Sequence, residues 1–358
     1  MTRQASVRSA SRPMPVRAWA VGAFCAGLLA LASPAPAFAA NFKIAYWNIK
    51  SGKGQIALPG HPSTFADTTN CTNSALPLNA WGMKLVQQEL LTSVAGDPEI
   101  VALGLAEAWT CATPEAVRAV LGWKATIPER NGVSIVARYG FAGPAQWTQL
   151  DTSLTANPSD TMWVVRTPVC VDAACAASID IFTPHWGGSD SPPEFDIQAQ
   201  QTVDFMSTAP PLEPHVLVGD LNVFEGTVVV CSQTPQNTAL TKLRTAGYVD
   251  AWPTVNGSAE GYTGMANRAG CGVPIGNTWK RIDYAWSKNL APVSMTRFGV
   301  RPGGDETPSD HYGIIVEYPL PPTVVAGKQK VTVRFQATNG NEIGAVFGVR
   351  VIHGNAMR

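Results

Sequence analysis

The sequence predicts a domain of mixed α and β structure, on three observations. Short apolar runs at residues 100–105 and 216–220 are bounded by turn-forming residues, which is typical of buried strands. Residues 78–91 carry an apolar stripe at helical spacing and so predict an amphipathic helix. With 45% hydrophobic residues, the 358-residue chain has enough apolar side chains for the core of one large domain.

Strand and helix signals alternate along the chain. Asp97-Pro98 ends the first helix, Thr113-Pro114 is a preferred start of the next, and Gly247 is a usual helix stop. The expected strands are residues 42–47, 100–105, 133–138, 162–166, 178–183, 216–220, 281–286 and 313–318. The expected helices are residues 78–91, a short helix from Thr113, residues 194–206 and residues 238–246.

Residues 1–39 have the pattern of a secretory signal peptide. Arginines without any acidic residue precede an uncharged run at residues 18–32, and the small residues around Ala37 and Ala39 suit a signal peptidase. The apolar run is too short to span a membrane. We therefore expect cleavage after Ala39, no transmembrane segment, and a soluble protein that is secreted or periplasmic.

The charge balance argues against a broad cationic surface. Of the 26 basic residues, four arginines lie in the leader, so 22 remain against 26 acidic residues. A mildly acidic protein is poorly suited to binding nucleic acid over a whole face, although a local basic groove is compatible with this balance.

Cysteine usage indicates disulfides. Six of the seven cysteines follow the leader, at Cys71, Cys111, Cys170, Cys175, Cys231 and Cys271. An even number in an exported chain suggests three disulfides, and pairing in neighbour order is the simplest of the fifteen or so possible arrangements. A zinc site is not expected, because no Cys-x-x-Cys or paired histidine accompanies these thiols.

The predicted strands end on, or are entered from, residue types that bind metal, phosphate or a proton. These residues are Asn48, Glu107, His185, Asp220 with Asn222, Asp283, and Asp310 with His311. Singly, each has an ordinary alternative: Asp220 and Asn222 could form a turn, and Asp283 could pair with Arg281 at the surface. If the strand continued through Asn222, its side chain and that of Asp220 would share a face. The repetition predicts a common site.

Six motifs in order make residues 42–318 resemble the endonuclease/exonuclease/phosphatase superfamily, which has the deoxyribonuclease I-like fold. They are Ala45-Tyr46-Trp47-Asn48, Leu105-Ala106-Glu107, Thr183-Pro184-His185, Gly219-Asp220-Leu221-Asn222, Arg281-Ile282-Asp283-Tyr284 and Ser309-Asp310-His311. The resemblance implies an α+β fold, a four-layer α/β/β/α sandwich of two packed mixed β-sheets with outer helices. Its site would lie at one edge of the sheets.

The resemblance implies a metal centre. Glu107 and Asp310, with Asn48 nearby, are expected to hold Mg²⁺, with Mn²⁺ or Ca²⁺ as alternatives. Four carboxylates in one pocket would repel each other without cations, which also predicts metal dependence.

The resemblance also implies catalytic roles. His311 would take the proton of the attacking water, and Asp283 would orient its ring. Asp220 and Asn222 would position the water and the phosphate, and His185 would donate a hydrogen bond to a phosphate oxygen.

Two further residues are weaker substrate-binding candidates. Asn131-Gly132 is a turn signal first, and by resemblance a phosphate contact. Trp186 could be a platform for stacking substrate, or equally an ordinary packed ring.

The expected activity is hydrolysis of phosphodiester bonds, with nucleic acid as the favoured substrate and a monomer as the expected state. A sphingomyelinase-like phospholipase C is the rival, and the Thr183-Pro184-His185 motif suits both. That rival requires an exposed aromatic hairpin, for which Trp186 or the region of Trp147 could serve. A non-catalytic binding module with the same fold would be expected to lack a metal carboxylate or a catalytic histidine, and none is missing.

The expected domain occupies residues 40–318. Beyond it, residues 319–358 begin with a stiff Pro-rich linker. Residues 331–335 and 343–351 alternate like two strands around the turn at Asn339-Gly340, so a short β-like hairpin is expected there.

Overall fold

The computed structural model describes eight stretches of the chain and the backbone of two short strands beyond them. These are residues 41–52, 82–109, 112–154, 161–187, 192–226, 235–265, 279–300 and 308–320, and strands at 335–336 and 342–343. The expected signal peptide, most of the C-terminal tail, and Cys71, Cys111, Cys231 and Cys271 lie outside the described residues.

Two six-stranded mixed sheets form the frame. The strands are β1 (Asn41–Asn48), β2 (Ile100–Ala106), β3 (Ala125–Thr126), β4 (Ser134–Ala137), β5 (Gln146–Leu150), β6 (Met162–Cys170), β7 (Ser178–His185), β8 (His215–Asp220), β9 (Val249–Asp250), β10 (Gly264–Met265), β11 (Trp279–Lys280), β12 (Asp283–Lys288), β13 (Ser294–Phe298), β14 (Gly313–Pro319), β15 (Phe335–Gln336) and β16 (Glu342–Ile343). The first sheet has the order β13-β14-β1-β2-β4-β3, and the second β5-β6-β7-β8-β12-β9.

Helices pack on the outer faces of the two sheets, except a short one at residues 251–256, whose Ala251 and Trp252 lie in the cluster between the sheets. They are α1 (Gly82–Glu89), which continues as a π-type segment over Leu90–Ala95, α2 (Pro114–Leu121), α3 (Pro192–Met206), α4 (Asn237–Thr245) and α5 (Ala251–Asn256). The side chain of Thr113 caps α2 as expected, and Gly122 ends it in the left-handed conformation. No helix among the described residues is both long and apolar enough to cross a bilayer.

Three apolar clusters account for the layers. The central cluster lies between the sheets and joins Ile44 and Tyr46 of β1 to Val216 and Val218 of β8. A second cluster packs the outer face of the first sheet against α1 and α2, and a third packs α3 and α4 onto the second sheet. The four-layer sandwich expected from the resemblance is therefore confirmed.

Each sheet has one parallel pair at its centre, and this arrangement sets the position of the site. β1 and β2 run parallel in the first sheet, and β7 and β8 run parallel in the second. Their outer neighbours β14 and β12 are antiparallel to them, so these two strands begin where the central pairs end. Polar residues at the ends of the parallel pairs and at the starts of β12 and β14 consequently meet at one edge.

The sheets approach each other closely beneath that edge. A Cβ atom at Gly104 of β2 would lie 2.7 Å from Thr183 Oγ1 and 3.1 Å from atoms of Tyr46 and Val218. Only glycine leaves room for this contact, which joins strands of both sheets one layer below the strand ends.

Seven short elements of the described residues were not expected from the sequence: β3, β5, β9, β10, β11, β13 and α5. β5 reads Gln-Trp-Thr-Gln-Leu and β13 reads Ser-Met-Thr-Arg-Phe, both on or near sheet edges where an apolar run is not required. Strand formation there depends on cross-strand partners, which a single sequence does not reveal.

Cys170 and Cys175 form a disulfide with a Cα–Cα distance of 4.7 Å, as expected. It closes the turn between β6 and β7. In the tail, β15 and β16 pair antiparallel with Phe335 opposite Ile343, and the rest of the expected hairpin lies outside the described residues.

Candidate active site

Six of the predicted site residues lie together at the edge where the central strands end. β1 ends at Asn48, and Glu107 directly follows β2. In the second sheet, Asp220 at the end of β8 lies opposite His185 on one side and Asp283 on the other. These last three residues therefore form one row across three neighbouring strands.

Asn48 links the two sheets through their carboxylates. Its Nδ2 donates to Glu107 Oε1 and to Asp220 Oδ2, both at 3.0 Å. Its Oδ1 accepts from the main-chain N of Lys50 at 3.1 Å. The amide is fully buried, so both carboxylates turn a negative oxygen towards the same enclosed point.

His311 and Asp283 form a buried pair next to this bridge. His311 Nδ1 lies 2.8 Å from Asp283 Oδ2, and His311 Nε2 lies 3.7 Å from Asp220 Oδ2. The main chain of His311 is held by Trp47, whose Nε1 donates to its carbonyl at 3.0 Å. One ring nitrogen is thus fixed by a carboxylate while the other faces the cleft, which is the arrangement of an oriented proton-transfer group.

Burial and mutual charge shift the pKa of both partners. Burial raises the pKa of Asp283 to about 6. The negative charge of Asp220 also raises this pKa, whereas the positive charge of His311 lowers it. Burial alone would lower the pKa of His311, but the negative charges of Asp283 and Asp220 outweigh it and raise the pKa well above its ordinary value. In the metal-free protein these charges therefore favour the imidazolium form of His311.

His185 completes the row with an unsatisfied nitrogen. Its Nε2 lies 3.7 Å from Asp220 Oδ2. Its Nδ1 is buried and has no hydrogen-bond partner in the described part of the chain. Because an unpaired buried polar group is costly, this nitrogen suits a ligand atom such as a phosphate oxygen.

Asp310 is paired with a cationic side chain. Its Oδ2 lies 2.9 Å from Lys50 Nζ. Burial would raise the pKa of Asp310, but His311 and Lys50 outweigh it and the pKa is lowered. The carboxyl group is therefore ionised and already paired.

The donor set fits a hard divalent cation, although not in the combination expected from the sequence. Among the described residues, the ligand atoms that lie within 4.8 Å of one another belong to Asp220, Asp283 and His311. The oxygens of Glu107 and Asp220 that meet at Asn48 are the type that Mg²⁺ prefers. Asn48 donates from its nitrogen to both carboxylates, and its expected place near the metal stays a prediction.

A model of the endonuclease/exonuclease/phosphatase family matches residues 45–311, which includes every residue of the site described so far. The chain belongs to this family. Its name covers nucleases and phosphatases. No curated protein matches the chain significantly.

Solved structures support the same fold at low identity. An endonuclease/exonuclease/phosphatase from Beutenbergia cavernae is 17% identical with a TM-score of 0.53, over 84% of this chain and 76% of that one. A family member from Bacteroides vulgatus is 14% identical with a TM-score of 0.54, over 78% and 99%. TDP2 of D. rerio, complexed with a single strand DNA product, is 14% identical with a TM-score of 0.50, over 78% and 99%.

Within this endonuclease/exonuclease/phosphatase chain, the surface-pair alternative for Asp283 is wrong. Asp283 is fully buried against His311. Arg281 instead donates from both terminal nitrogens to Asp250, each at 2.7 Å.

One expected substrate contact and one expected strand geometry are corrected. Trp186 is fully buried and its Nε1 donates to Thr202 Oγ1 at 3.0 Å, so it packs under α3 and cannot stack on substrate. β8 ends at Asp220, and Asn222 lies in a left-handed turn with φ 51°. Asn222 Nδ2 donates to the carbonyl of Trp186 at 2.9 Å, so this side chain stabilises the turn that presents Asp220.

Asn131 lies in the turn that the sequence predicts. With φ values of 46° and 78°, Asn131 and Gly132 form a tight connection between Arg130 and Val133. The side-chain nitrogen of Asn131 donates to the carbonyl of Thr161. Its phosphate contact stays a prediction.

Three positioning residues were missed by the sequence analysis. Ser309 Oγ donates to the carbonyl of Asn48 at 2.6 Å, and Lys50 pairs with Asp310. Thr263 Oγ1 accepts from the main-chain N of Asp283 at 2.9 Å. Ser309 belongs to a quoted motif and could have been found, whereas no strand signal surrounds Thr263.

Backbone strain is concentrated at this edge. Of the seven described non-glycine residues with positive φ, five adjoin the site: Lys50, Ser51, Glu107, Asn131 and Asn222. A left-handed backbone conformation at a non-glycine residue costs about 1–3 kcal/mol and persists only where the surrounding structure holds it. The strain is consistent with a site whose geometry is fixed before substrate binds.

Replacing Asp283 by Asn tests whether the carboxylate of Asp283 raises the pKa of His311. Asp283→Asn removes the largest charge that raises the His311 pKa and leaves burial to lower it, so this pKa should fall although Asp220 and Asp310 still raise it. An NMR titration of the histidine ring protons measures this shift. His215, at the far end of β8, is the internal control and should not move. An unchanged His311 pKa would contradict the assigned coupling.

Proposed function

We propose that the chain is an exported, divalent-metal-dependent phosphodiesterase that cleaves nucleic acid. The observation that carries the proposal is the His311–Asp283 pair, which shares Asp220 with the Asn48–Glu107 bridge in one cleft. A proton acceptor and a converging pair of carboxylates are thus within reach of a single phosphate. The expected signal peptide supports export.

Phosphodiester hydrolysis requires activation of water and stabilisation of charge on the phosphate. In its neutral form, which the charge of a bound divalent cation would favour, His311 takes the proton of the attacking water at Nε2. Asp283 then stabilises the resulting imidazolium through Nδ1. Asp220 orients that water, and His185 donates to a phosphate oxygen.

Glu107 and Asp220 are the residues that would hold a Mg²⁺ ion, with Asp310 available from the same edge. When bound, such an ion supplies neutralisation of the phosphate and stabilisation of the leaving alkoxide. Asn48 keeps the two carboxylates close together in the free protein, where they would otherwise repel each other.

The nuclease proposal is favoured over the lipid alternative by the aromatic residues. Trp186 is buried, and Trp147 lies beneath the guanidinium of Arg130, so neither supplies a bare apolar surface for a membrane. A D. rerio TDP2 with a similar fold was solved with a single strand DNA product. The binding-module alternative is disfavoured because each expected acidic and histidine residue is present at the edge.

Replacing His311 by Asn should remove the proton acceptor and lower turnover by about 10²–10⁴-fold. The assay compares plasmid DNA, RNA and sphingomyelin vesicles with Mg²⁺ present. Because the single change leaves Asp283 without its partner, a His311→Asn/Asp283→Asn variant and an unfolding curve separate lost chemistry from lost stability. Turnover that survives in a folded variant would disprove the role of His311, and cleavage of sphingomyelin alone would overturn the nuclease proposal.

Chelation of divalent cations should abolish cleavage, and Mg²⁺ should restore it. Glu107→Gln should raise the Mg²⁺ concentration for half-maximal activity about tenfold or more, because it removes one anionic ligand. Glu115→Gln, on the exposed first turn of α2, is the matched control and should leave that concentration unchanged. Full activity in chelator would rule out metal dependence.

A further inference from the structure

An exposed arginine lies over two indole rings at one end of the second sheet. The guanidinium carbon of Arg130 is 5.0 Å from the ring centre of Trp147 and 4.9 Å from that of Trp163. The two rings meet edge to face, with centroids 6.3 Å apart. Contacts of this kind hold a guanidinium by its face and leave its N–H donors available at the edge.

The two rings continue the row of site residues across the second sheet. Trp163 of β6 lies directly opposite His185 of β7, which in turn lies opposite Asp220. Neighbouring strands are about 4.8 Å apart, so Trp163 is one strand spacing from the proposed phosphate contact of His185. Trp147 lies one strand further, opposite Val165.

Arg130 reaches this row from the first sheet through a turn that also supports Glu107. Gly132 is so close that a Cβ atom there would lie 2.7 Å from Glu107 Cα, and its carbonyl accepts from Ala108 N at 2.9 Å. On the other side, Asn131 binds the carbonyl of Thr161, just before β6. The position of Arg130 is therefore fixed relative to both the carboxylates and the tryptophans.

The charge of Arg130 is uncompensated in the part of the chain that the structure describes. No carboxylate there forms an ion pair with it, whereas Lys50 pairs with Asp310 and Arg281 pairs with Asp250. A fixed, exposed cation without an anionic partner, next to a phosphate-handling site, suits a second anion of the substrate.

We propose that Arg130, held in place by Trp147 and Trp163, binds the phosphate next to the scissile one. This inference rests on the proposed function and deepens it. It makes the enzyme selective for a chain of phosphodiesters, a polynucleotide, over an isolated diester. The tryptophans act as positioning residues, because stacking orders the guanidinium before substrate arrives.

The test compares a substrate that has a neighbouring phosphate with one that lacks it. For Arg130→Gln, the KM for a single-stranded oligonucleotide should rise about tenfold or more with kcat within about twofold. Hydrolysis of bis(4-nitrophenyl) phosphate should be unchanged. The slope of log affinity against log salt should fall by about 0.7, as for one lost contact to a single strand.

Matched variants separate binding from folding. Arg244 lies on the outer helix α4, and its guanidinium packs over the ring of Trp286. Arg244→Gln is therefore the matched control and should leave hydrolysis of both substrates unchanged. Trp163→Leu should reproduce the KM effect of Arg130→Gln, while Trp163→Phe should restore most of it. Combining Trp163→Leu with Arg130→Gln should add little to either change alone.

Three results would overturn the inference. They are an unchanged oligonucleotide KM in Arg130→Gln, an equal loss on both substrates, and a loss confined to sphingomyelin vesicles, which would indicate a lipid headgroup. If the unaltered protein cleaves neither phosphodiester, the proposed function fails. In that case, binding of a fluorescent oligonucleotide in chelator tests the contact between Arg130 and phosphate. Equal affinities of the unaltered protein and of Arg130→Gln would show that this contact does not form.

Discussion

The site depends on one amide that holds two carboxylates from opposite sheets. Asn48 ends a strand of the first sheet and donates from a single nitrogen to Glu107 of its own sheet and to Asp220 of the other. Without it, two anions would approach each other in a buried space with no compensating charge, which is strongly unfavourable. The hydrogen bonds therefore hold together the strand ends on which the chemistry depends.

The remaining charges around this bridge are arranged in compensated pairs. His311 pairs with Asp283, and Lys50 pairs with Asp310, each at a distance below 3 Å. His185 Nδ1 and the guanidinium of Arg130 lack such partners in the described regions. Under the proposed function these two groups would contact phosphate, while the paired groups would lie at the place of reaction.

The sequence predicts the strand ends well and the turns around them less well. Apolar runs that stop at Asn48 or Asp220, or that begin at Asp283, identify residues at strand ends, because the burial pattern and the polar residue occur in the same segment. The family resemblance supplied the packing of the two sheets, which no local pattern contains.

The sequence predicts the direction of a side chain wrongly where that direction depends on tertiary contacts. Trp186 and Asn222 follow strands that were correctly located, yet one ring turns under α3 and one amide turns back to the main chain. Arg130 was not singled out because its partners, Trp147 and Trp163, lie on strands of the other sheet. β5, which carries Trp147, has no apolar run by which the sequence could reveal it.

The most direct measurement is the thermal stability of Asn48→Asp in chelator and with Mg²⁺. This change replaces the donor between Glu107 and Asp220 by a third anion of nearly the same shape. We expect a loss of at least about 2 kcal/mol of unfolding free energy in chelator, with much of it recovered on addition of Mg²⁺. A variant as stable as the unaltered protein in chelator would contradict the bridging role of Asn48 and the convergence of charges built on it.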